Sequence, residues 1–188
     1  MKNLVQMTIK NYLNHFPEEQ ERLSKLTDFI NETGDKDIID WNNFNGHLVS
    51  SGFVYSKKEN KFLVIYHKDM NMYVYPGGHI DENDKDMEYT ARREVQEETG
   101  IKDLENYVID DNKLIPLDID VHVIKKNERL NLPPHYHFDF RYLYFVDKVE
   151  NVKIDEAEST DYKWVNLDEI SNITNCEVVV NKLKKIVK

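Results

Sequence analysis

The chain has 188 residues, of which 40% are hydrophobic and 11% aromatic. This length suits one domain with a proper core and an appendage, whereas two full domains would be cramped. A net charge of −10 without a long basic stripe argues against duplex nucleic acid as a partner. The single Cys176 suits a reducing compartment, and no segment has the apolar length of a membrane span or a signal peptide core. We therefore expect a soluble, cytoplasmic protein that has no membrane partner.

Two helices are predicted at the start of the chain, over residues 3–15 and 17–33. Apolar residues recur at helical spacing in the first, Pro17 stands at the start of the second, and Gly34 follows its end. We expect residues 1–45 to form a helical extension and residues 46–188 to form the main domain. Two roles fit the extension: packing over the main domain, which we favour, or forming a homodimer.

From residue 46 the pattern changes to strands. The apolar runs Leu48–Tyr55 and Phe62–Tyr66 flank a polar turn, as a hairpin requires, and Met72–Tyr75 leads into a glycine turn. The remaining predicted elements are strands at Leu114–Lys125, His135–Val146 and Trp164–Val165, a helical turn at Leu167–Ile170 and a last helix at about 174–187. This order predicts a mixed α/β sandwich.

The most informative stretch is the glycine turn at 76–78, which leads into an acidic helix. That helix carries Glu94, Glu97 and Glu98, and their i, i+3, i+4 spacing places the three carboxylates on one face. Three acids within one turn repel one another unless a cation lies among them. A hard divalent ion such as Mg²⁺ or Mn²⁺ takes oxygen ligands and suits this face.

The alternative is that these glutamates form the solvated side of a surface helix. However, Met87, Ala91 and Val95 make the apolar stripe of the helix, and at 100° per residue Glu94 and Glu98 lie in or beside it. The two acids therefore point toward the protein body. Unpartnered carboxylates there would cost several kcal/mol, so a metal or a cationic partner is implied.

Residues 93–101, Arg-Glu-Val-Gln-Glu-Glu-Thr-Gly-Ile, resemble the second half of the Nudix box, whose pattern is G-x5-E-x7-R-E-U-x-E-E-x-G-U with U aliphatic. Gly78 supplies the first glycine. The stretch from Gly78 to Arg93 is one residue longer than the pattern, and we expect the Asp81–Asp86 turn to absorb the excess without shifting the helix register. The first glutamate of the box then falls on Asp84 or Lys85, and the resemblance implies that Asp84 can partly replace it as a partner of Arg93.

The resemblance also implies a Nudix-like mixed-sheet α/β/α sandwich that carries the N-terminal helical extension. The implied activity is metal-dependent hydrolysis of a phosphoanhydride in a nucleoside diphosphate linked to another group, or in a nucleoside triphosphate. Glu94, Glu97, Glu98 and the Gly78 carbonyl would hold Mg²⁺ or Mn²⁺, and Arg93 would orient the box. The base is open among Glu97, Glu98 and an acid of the 156–161 loop, such as Glu158.

Two other activities are weighed for this fold. One is a non-catalytic module that senses a nucleotide or sugar nucleotide, although the presence of all three helix acids does not indicate lost catalysis. The other is isomerase chemistry, which requires a catalytic cysteine. Cys176 lies outside the sheet region, so this option ranks low.

A second group of chemically active side chains occupies the strand at 135–146. Period two places His135, His137, Asp139 and Arg141 on one face. Such groups can ligate a transition metal, orient water or clamp a phosphate. The alternative is a solvated strand face. The tentative substrate-binding set comprises His79, His135, His137, Asp139, Arg141 and Glu158, and His122 could converge with the other histidines.

Overall fold

The computed structural model describes residues 1–109, 114–126, 128, 132–147, 149, 152–171, 173 and 177–186. Cys176 and residues 174–175 and 187 of the predicted last helix lie outside these ranges. The helices are α1 (Lys2–His15), α2 (Ser24–Glu32), α3 (Met87–Thr99), α4 (Leu167–Ile170) and α5 (Glu177–Ile186). The strands are β1 (His47–Ser56), β2 (Lys61–His67), β3 (Met72–Val74), β4 (Gly77–His79), β5 (Glu105–Asn106), β6 (Asp118–Ile124), β7 (His135–Val146) and β8 (Ser159–Val165).

The centre of the sheet is the parallel pair β1 and β7, in register from His47 opposite His137 to Ser56 opposite Val146. Each central strand has two antiparallel neighbours on its outer side. β4 pairs with the first half of β1 and β2 with its end, while β6 pairs with the first half of β7 and β5 with its end. The sheet therefore forks on both sides, and β4 brings the glycine turn beside the centre of the sheet.

Helices cover both faces of the sheet, so the predicted three-layer sandwich is confirmed. One core lies between the sheet and α1, α2 and α3, and it includes Leu48, Phe138 and Phe140. The other lies between the opposite face and α4 and α5, and it includes Phe53 and Leu143. Period two explains the division, because neighbouring residues of β1 and β7 point to opposite faces.

The N-terminal helices share the first of these cores rather than standing apart. Val5, Ile9 and Leu26 are buried within it. Of the two roles predicted for the extension, packing over the main domain is the one present. The homodimer and the domain division at residue 45 stay predictions.

The single helix predicted over 17–33 is wrong in its first half. Pro17–Glu19 form a 3₁₀ turn, and α2 begins only at Ser24. The interruption turns Glu19 and Arg22 inward. Arg22 Nη1 donates to the carbonyl of Ile119 on β6 at 2.6 Å, and Arg22 Nη2 lies 2.9 Å from Asp118 Oδ1. These contacts to the sheet explain why the predicted helix is interrupted here.

Strand β8 is longer than the predicted Trp164–Val165. Its first half pairs with β2 through a register shift between Ile65 and His67, although Thr160 and Asp161 give it no apolar alternation. Conversely, β6 begins at Asp118, later than the predicted Leu114. Among the described residues, no helix combines the length and the apolar character needed to cross a bilayer.

Candidate active site

Helix α3 keeps the register predicted for the acidic helix. The Asp86 carboxylate caps its start by accepting from the Tyr89 N–H at 2.7 Å, and Gly100 ends it in the left-handed conformation with φ of 70°. Met87 and Val95 are fully buried. The extra residue of the box therefore lies in the turn before α3, as predicted.

Asp84 takes the place of the first glutamate of the box. Its two carboxylate oxygens accept from Arg93 Nε at 3.1 Å and from Arg93 Nη2 at 2.9 Å, and Oδ2 also accepts from Thr90 Oγ1 at 2.8 Å. Burial tends to raise the pKa of Asp84, but the Arg93 guanidinium, the Asp81 N–H and the Thr90 hydroxyl together outweigh it and hold that pKa below its ordinary value. The predicted Asp84–Arg93 partnership is confirmed.

The remaining Arg93 bonds tie the box together. Nη1 donates to Glu94 Oε1 at 2.8 Å and to Glu97 Oε2 at 2.9 Å, and Nη2 donates to the His79 carbonyl at 3.0 Å. One guanidinium thus links the glycine turn, the loop before α3 and two of the three box glutamates. This geometry supports the role of Arg93 as a positioning residue.

Glu94 and Glu98 point into the protein against the glycine turn. The Gly77 N–H donates to Glu98 Oε2 at 2.7 Å, and the Glu98 residue is 4% exposed. A Cβ at Gly78 would lie 2.6 Å from Glu94 Oε1, so only glycine allows the carboxylate this close. Glu97 instead stands at the rim, with 58% of its side chain exposed. The structure therefore brings Gly78, Glu94 and Glu98 together and leaves Glu97 at the edge.

The two inward carboxylates have little positive charge around them, because Arg93 is shared among Glu94, Glu97 and Asp84, and among the described residues no cation pairs with Glu98. Burial raises the pKa of Glu98 to about 8 and that of Glu94 to about 7, although Arg93 lowers the latter and the Gly77 N–H lowers the former. Glu158 adds repulsion to both. Two buried carboxylates beside a glycine carbonyl form an oxygen donor set, and this set fits a hard divalent cation.

A cleft of about 980 Å³ opens above these carboxylates. Glu94, Glu98 and Glu158 line it, whereas Glu97 does not. Lys125 and Lys126 line it as well and supply positive charge. Other lining residues are Ser51, Tyr75, Gly77, Gly78, His79, His122, His137, Asp139 and Arg141. The cleft combines an acidic floor with cationic groups, which suits an anionic substrate that carries a metal ion.

The polar face of β7 is buried, so the solvated alternative is wrong. His135 is 6%, Asp139 3% and Arg141 1% exposed. Arg141 donates from Nε to Asp139 at 2.9 Å, and its other nitrogens bond Asp118 at 3.3 Å and Asp120 at 2.8 Å. Its predicted phosphate contact would compete with these three aspartates and stays a prediction. Asp139 also accepts from Ser51 Oγ at 2.5 Å.

Histidines converge at the side of the cleft. His137 faces His79 and His122, as their predicted convergence requires, and it also faces His47, which sequence reasoning missed. His47 has no local signal, because it meets His137 only through the parallel β1–β7 register. Burial, together with repulsion from neighbouring imidazoles, lowers the pKa of His137 to about 2 and that of His47 to about 4. His135 lies behind His137, outside the cleft lining.

Comparisons with known proteins agree with this arrangement. A family profile described as the NUDIX domain matches residues 46–185. A probable DHNTP pyrophosphohydrolase from Lactococcus lactis subsp. cremoris is 31% identical over 133 residues, which cover 71% of this chain and 74% of that relative.

Two solved structures are similar in fold. A NUDIX-family hydrolase from Clostridium perfringens has a TM-score of 0.56 at 25% identity, over 74% of this chain and 97% of its own. The E. coli dihydroneopterin triphosphate pyrophosphohydrolase has a TM-score of 0.52 at 14% identity, over 74% of this chain and 94% of its own. At 14% identity, the second likeness is one of fold alone.

The three-layer sandwich with its acidic helix at a glycine turn defines a hydrolase of the pyrophosphohydrolase class. The chain belongs to the Nudix family, and the predicted enzyme class is confirmed.

Proposed function

We propose that this enzyme is a divalent-metal-dependent pyrophosphohydrolase that cleaves a phosphoanhydride in the triphosphate of a nucleoside-like compound. The observation that carries the metal dependence is the pair of inward carboxylates on the floor of the cleft. Glu98 is buried with no cationic partner among the described residues, and Glu94 has only Arg93, which Asp84 and Glu97 also use. Dihydroneopterin triphosphate is the first substrate to test, because the 31% identical relative is a probable DHNTP pyrophosphohydrolase. The next substrates to test are nucleoside triphosphates and nucleoside diphosphates linked to a second group.

Hydrogen bonds within the protein would hold the site carboxylates in position before the substrate reacts. The Gly77 N–H fixes the Glu98 carboxylate, and Arg93 holds Glu94 on the floor of the cleft and Glu97 at its rim. Glu94, Glu98 and the Gly78 carbonyl would hold Mg²⁺ or Mn²⁺, with Glu97 able to join them from the rim. Such fixed geometry lowers the reorganisation needed when charge develops on the phosphate oxygens.

When bound, the ion supplies positive charge to the phosphoanhydride oxygens and makes a water molecule a stronger acid. Glu158 lines the same cleft as Glu94 and Glu98, so it can accept the proton from the attacking water. Glu97 and Glu98 remain the other candidates for this base. Lys125 and Lys126 line the cleft where they can contact the triphosphate. Water attacks one phosphorus, and the bond from that phosphorus to the bridging oxygen breaks.

The test is a product assay with the substrate panel, in Mg²⁺, in Mn²⁺ and after chelation. We expect dihydroneopterin triphosphate to give pyrophosphate and the monophosphate, and we expect chelation to abolish turnover. Glu98→Gln should lower kcat by at least about 10³-fold, since it removes charge that acts on the transition state. Glu59→Gln, on the exposed turn between β1 and β2, is the matched control and should keep wild-type kcat.

Each contrary outcome has a distinct meaning. Turnover that survives chelation, or a Glu98→Gln variant with wild-type kcat at saturating Mg²⁺, would contradict the metal role. Tight binding of a panel member without any product would instead favour the sensing module. The cytoplasmic location expected from the composition belongs to the same proposal and is checked by fractionation of cells.

A further inference from the structure

We propose that His47, His79 and His137 form a transition-metal site at the wall of the cleft, separate from the carboxylate site of α3. Each of these histidines offers a ring nitrogen, and the three nitrogens lie within 4.8 Å of one another. Their grouping does not depend on which phosphoanhydride the enzyme cleaves. The proposal therefore stands or falls apart from the proposed function.

The spacing of the nitrogens suits tetrahedral coordination. His79 Nε2 lies 3.2 Å from His47 Nε2. Zinc binds imidazole nitrogen at about 2.0–2.1 Å, so two nitrogens on a tetrahedral ion stand about 3.3 Å apart. A fourth imidazole is adjacent, since His135 Nε2 lies 3.2 Å from His137 Nε2. Small side-chain adjustments would bring the three ring nitrogens onto one ion.

Second contacts orient one ligand of the proposed site, His47, and two histidines beside it, His135 and His122. His47 Nδ1 faces the Asn43 carbonyl at 3.5 Å, and His135 Nδ1 lies 2.8 Å from the Pro133 carbonyl. A carbonyl can only accept, so each Nδ1 carries the proton and each Nε2 keeps its lone pair for the cluster. His122 Nδ1 similarly lies 2.8 Å from Asp120 Oδ2. Metal-binding histidines typically hold their second nitrogen in this way.

The three histidines come from three neighbouring strands, which makes the group rigid. His47 on β1 stands opposite His137 on β7, and His79 on β4 stands opposite Val49 on β1. His47 is 1% exposed, whereas His79 is exposed and lines the cleft with His137. The site is thus closed on the protein side and open on the cleft side. Three histidines with one open position are a donor set that zinc uses when it binds water or an anion.

The donor chemistry separates this site from the α3 carboxylates. Imidazole nitrogen suits Zn²⁺, Co²⁺ and Ni²⁺, whereas Mg²⁺ prefers oxygen. We therefore assign Mg²⁺ or Mn²⁺ to the carboxylates and a Zn²⁺-like ion to the histidines. A phosphate oxygen or water from the cleft would complete the coordination of that ion.

The first test is a Zn²⁺ titration of tag-free protein in competition with a chromophoric chelator. Wild type should bind one Zn²⁺ that Mg²⁺ does not displace. His79→Ala and His137→Gln should each weaken this binding by at least about 100-fold, because losing an outer partner of a ligand already costs about 10–100-fold. His15→Ala, which changes an exposed histidine of α1, and Glu98→Gln should leave the affinity unchanged.

The second test needs no variant, so it holds even if the half-buried His137 proves essential for folding. X-ray absorption of the Zn²⁺-loaded wild type should show a first shell dominated by about three imidazole nitrogens. A shell of oxygen ligands, the absence of a stoichiometric site, or equal affinity in His79→Ala and His15→Ala would each overturn the proposal. Loss of Zn²⁺ binding in Glu98→Gln would also overturn it, by placing the ion on α3.

Discussion

Two groups of buried carboxylates in this protein are held in opposite ways. Glu94 and Glu98 face the cleft, and burial raises the pKa of both. Asp118 lies under α1 and α5 at 0% exposure, and burial would raise its pKa too. There, however, Lys182, Arg141 and Arg22 outweigh burial and hold that pKa below its ordinary value. The similarly buried Asp118 and Glu98 therefore have pKa shifts of opposite direction, and the nearby cations decide between them.

The ion network around Asp118 consists of Tyr12, Glu19, Arg22, Asp118, Asp120, Asp139, Arg141 and Lys182. Lys182 Nζ lies 3.0 Å from Asp118 Oδ1 and 2.7 Å from Glu19 Oε1. Arg141 continues the network to Asp139 on the cleft wall. Each carboxylate here has a cation at salt-bridge distance, which comes from another element for Glu19, Asp118 and Asp120 and from the same strand for Asp139, whose partner is Arg141. The comparison teaches that this fold gives every carboxylate of the network a cationic partner, and that among the described residues it leaves Glu98 without one where it faces the cleft.

The largest expected effect comes from breaking the balanced group. Asp118→Asn removes the anion shared by Lys182, Arg141 and Arg22, and it should lower the free energy of unfolding by about 3–5 kcal/mol. Urea denaturation followed by circular dichroism measures this change. Glu105→Gln removes an exposed ion pair with Lys57 and should change it by less than about 1 kcal/mol. Equal losses in the two variants would contradict the contrast.

A smaller effect should appear in the pH dependence of the unbalanced group. The Glu98 pKa is about 8 in the fold and about 4.3 in an unfolded chain, so the native state holds the extra proton between these values. Stability of the metal-free protein should thus fall as pH rises from about 4.3 to 8. Glu98→Gln should reduce this fall by about 2 kcal/mol, after allowance for relaxation of the site. The two stability profiles are measured in chelator. If wild type and variant lose stability in parallel as pH rises, Glu98 does not have the raised pKa on which the contrast rests.

The smallest expected effect is the response to metal. At ten times its dissociation constant, Mg²⁺ should stabilise wild type by about 1.4 kcal/mol at pH 8, and the gain should shrink toward pH 6 as protons compete. Thermal melts with and without Mg²⁺ provide the measurement. In Asp118→Asn the gain should persist, whereas in Glu98→Gln it should vanish. A gain retained by Glu98→Gln would place the ion elsewhere.

The parts of the site that were predictable are those encoded locally. The inward orientation of Glu94 and Glu98 follows from their helical spacing relative to the apolar residues Ala91 and Val95. The Asp84–Arg93 partnership follows from the box pattern. The observed bounds of strand β7, His135 to Val146, match the prediction, because polar and aromatic residues alternate along its first part. Local periodicity is enough wherever one element carries the whole signal.

The parts that escaped prediction depend on distant pairing. His47 joins the histidines only because β1 and β7 run parallel in one register, which no local pattern encodes. No local pattern identifies Asp118 and Asp120 as part of an ion network, because their partners Arg22 and Arg141 come from other elements. The interruption of the helix predicted over 17–33 has the same origin, because Arg22 bonds to β6. Tertiary contacts here override local helix preference.

The bond between Lys182 Nζ and Tyr12 Oη joins residues 170 positions apart and fixes an order of events during synthesis. Asp118 leaves the ribosome well before Lys182, so a nascent chain that has formed β6 and β7 still lacks one of the cations that Asp118 needs. The network closes only when α5 emerges and docks beside α1. Until then the Asp118 carboxylate has only Arg22 and Arg141 as cationic partners, and the final stabilisation of the chain waits for one of its last helices.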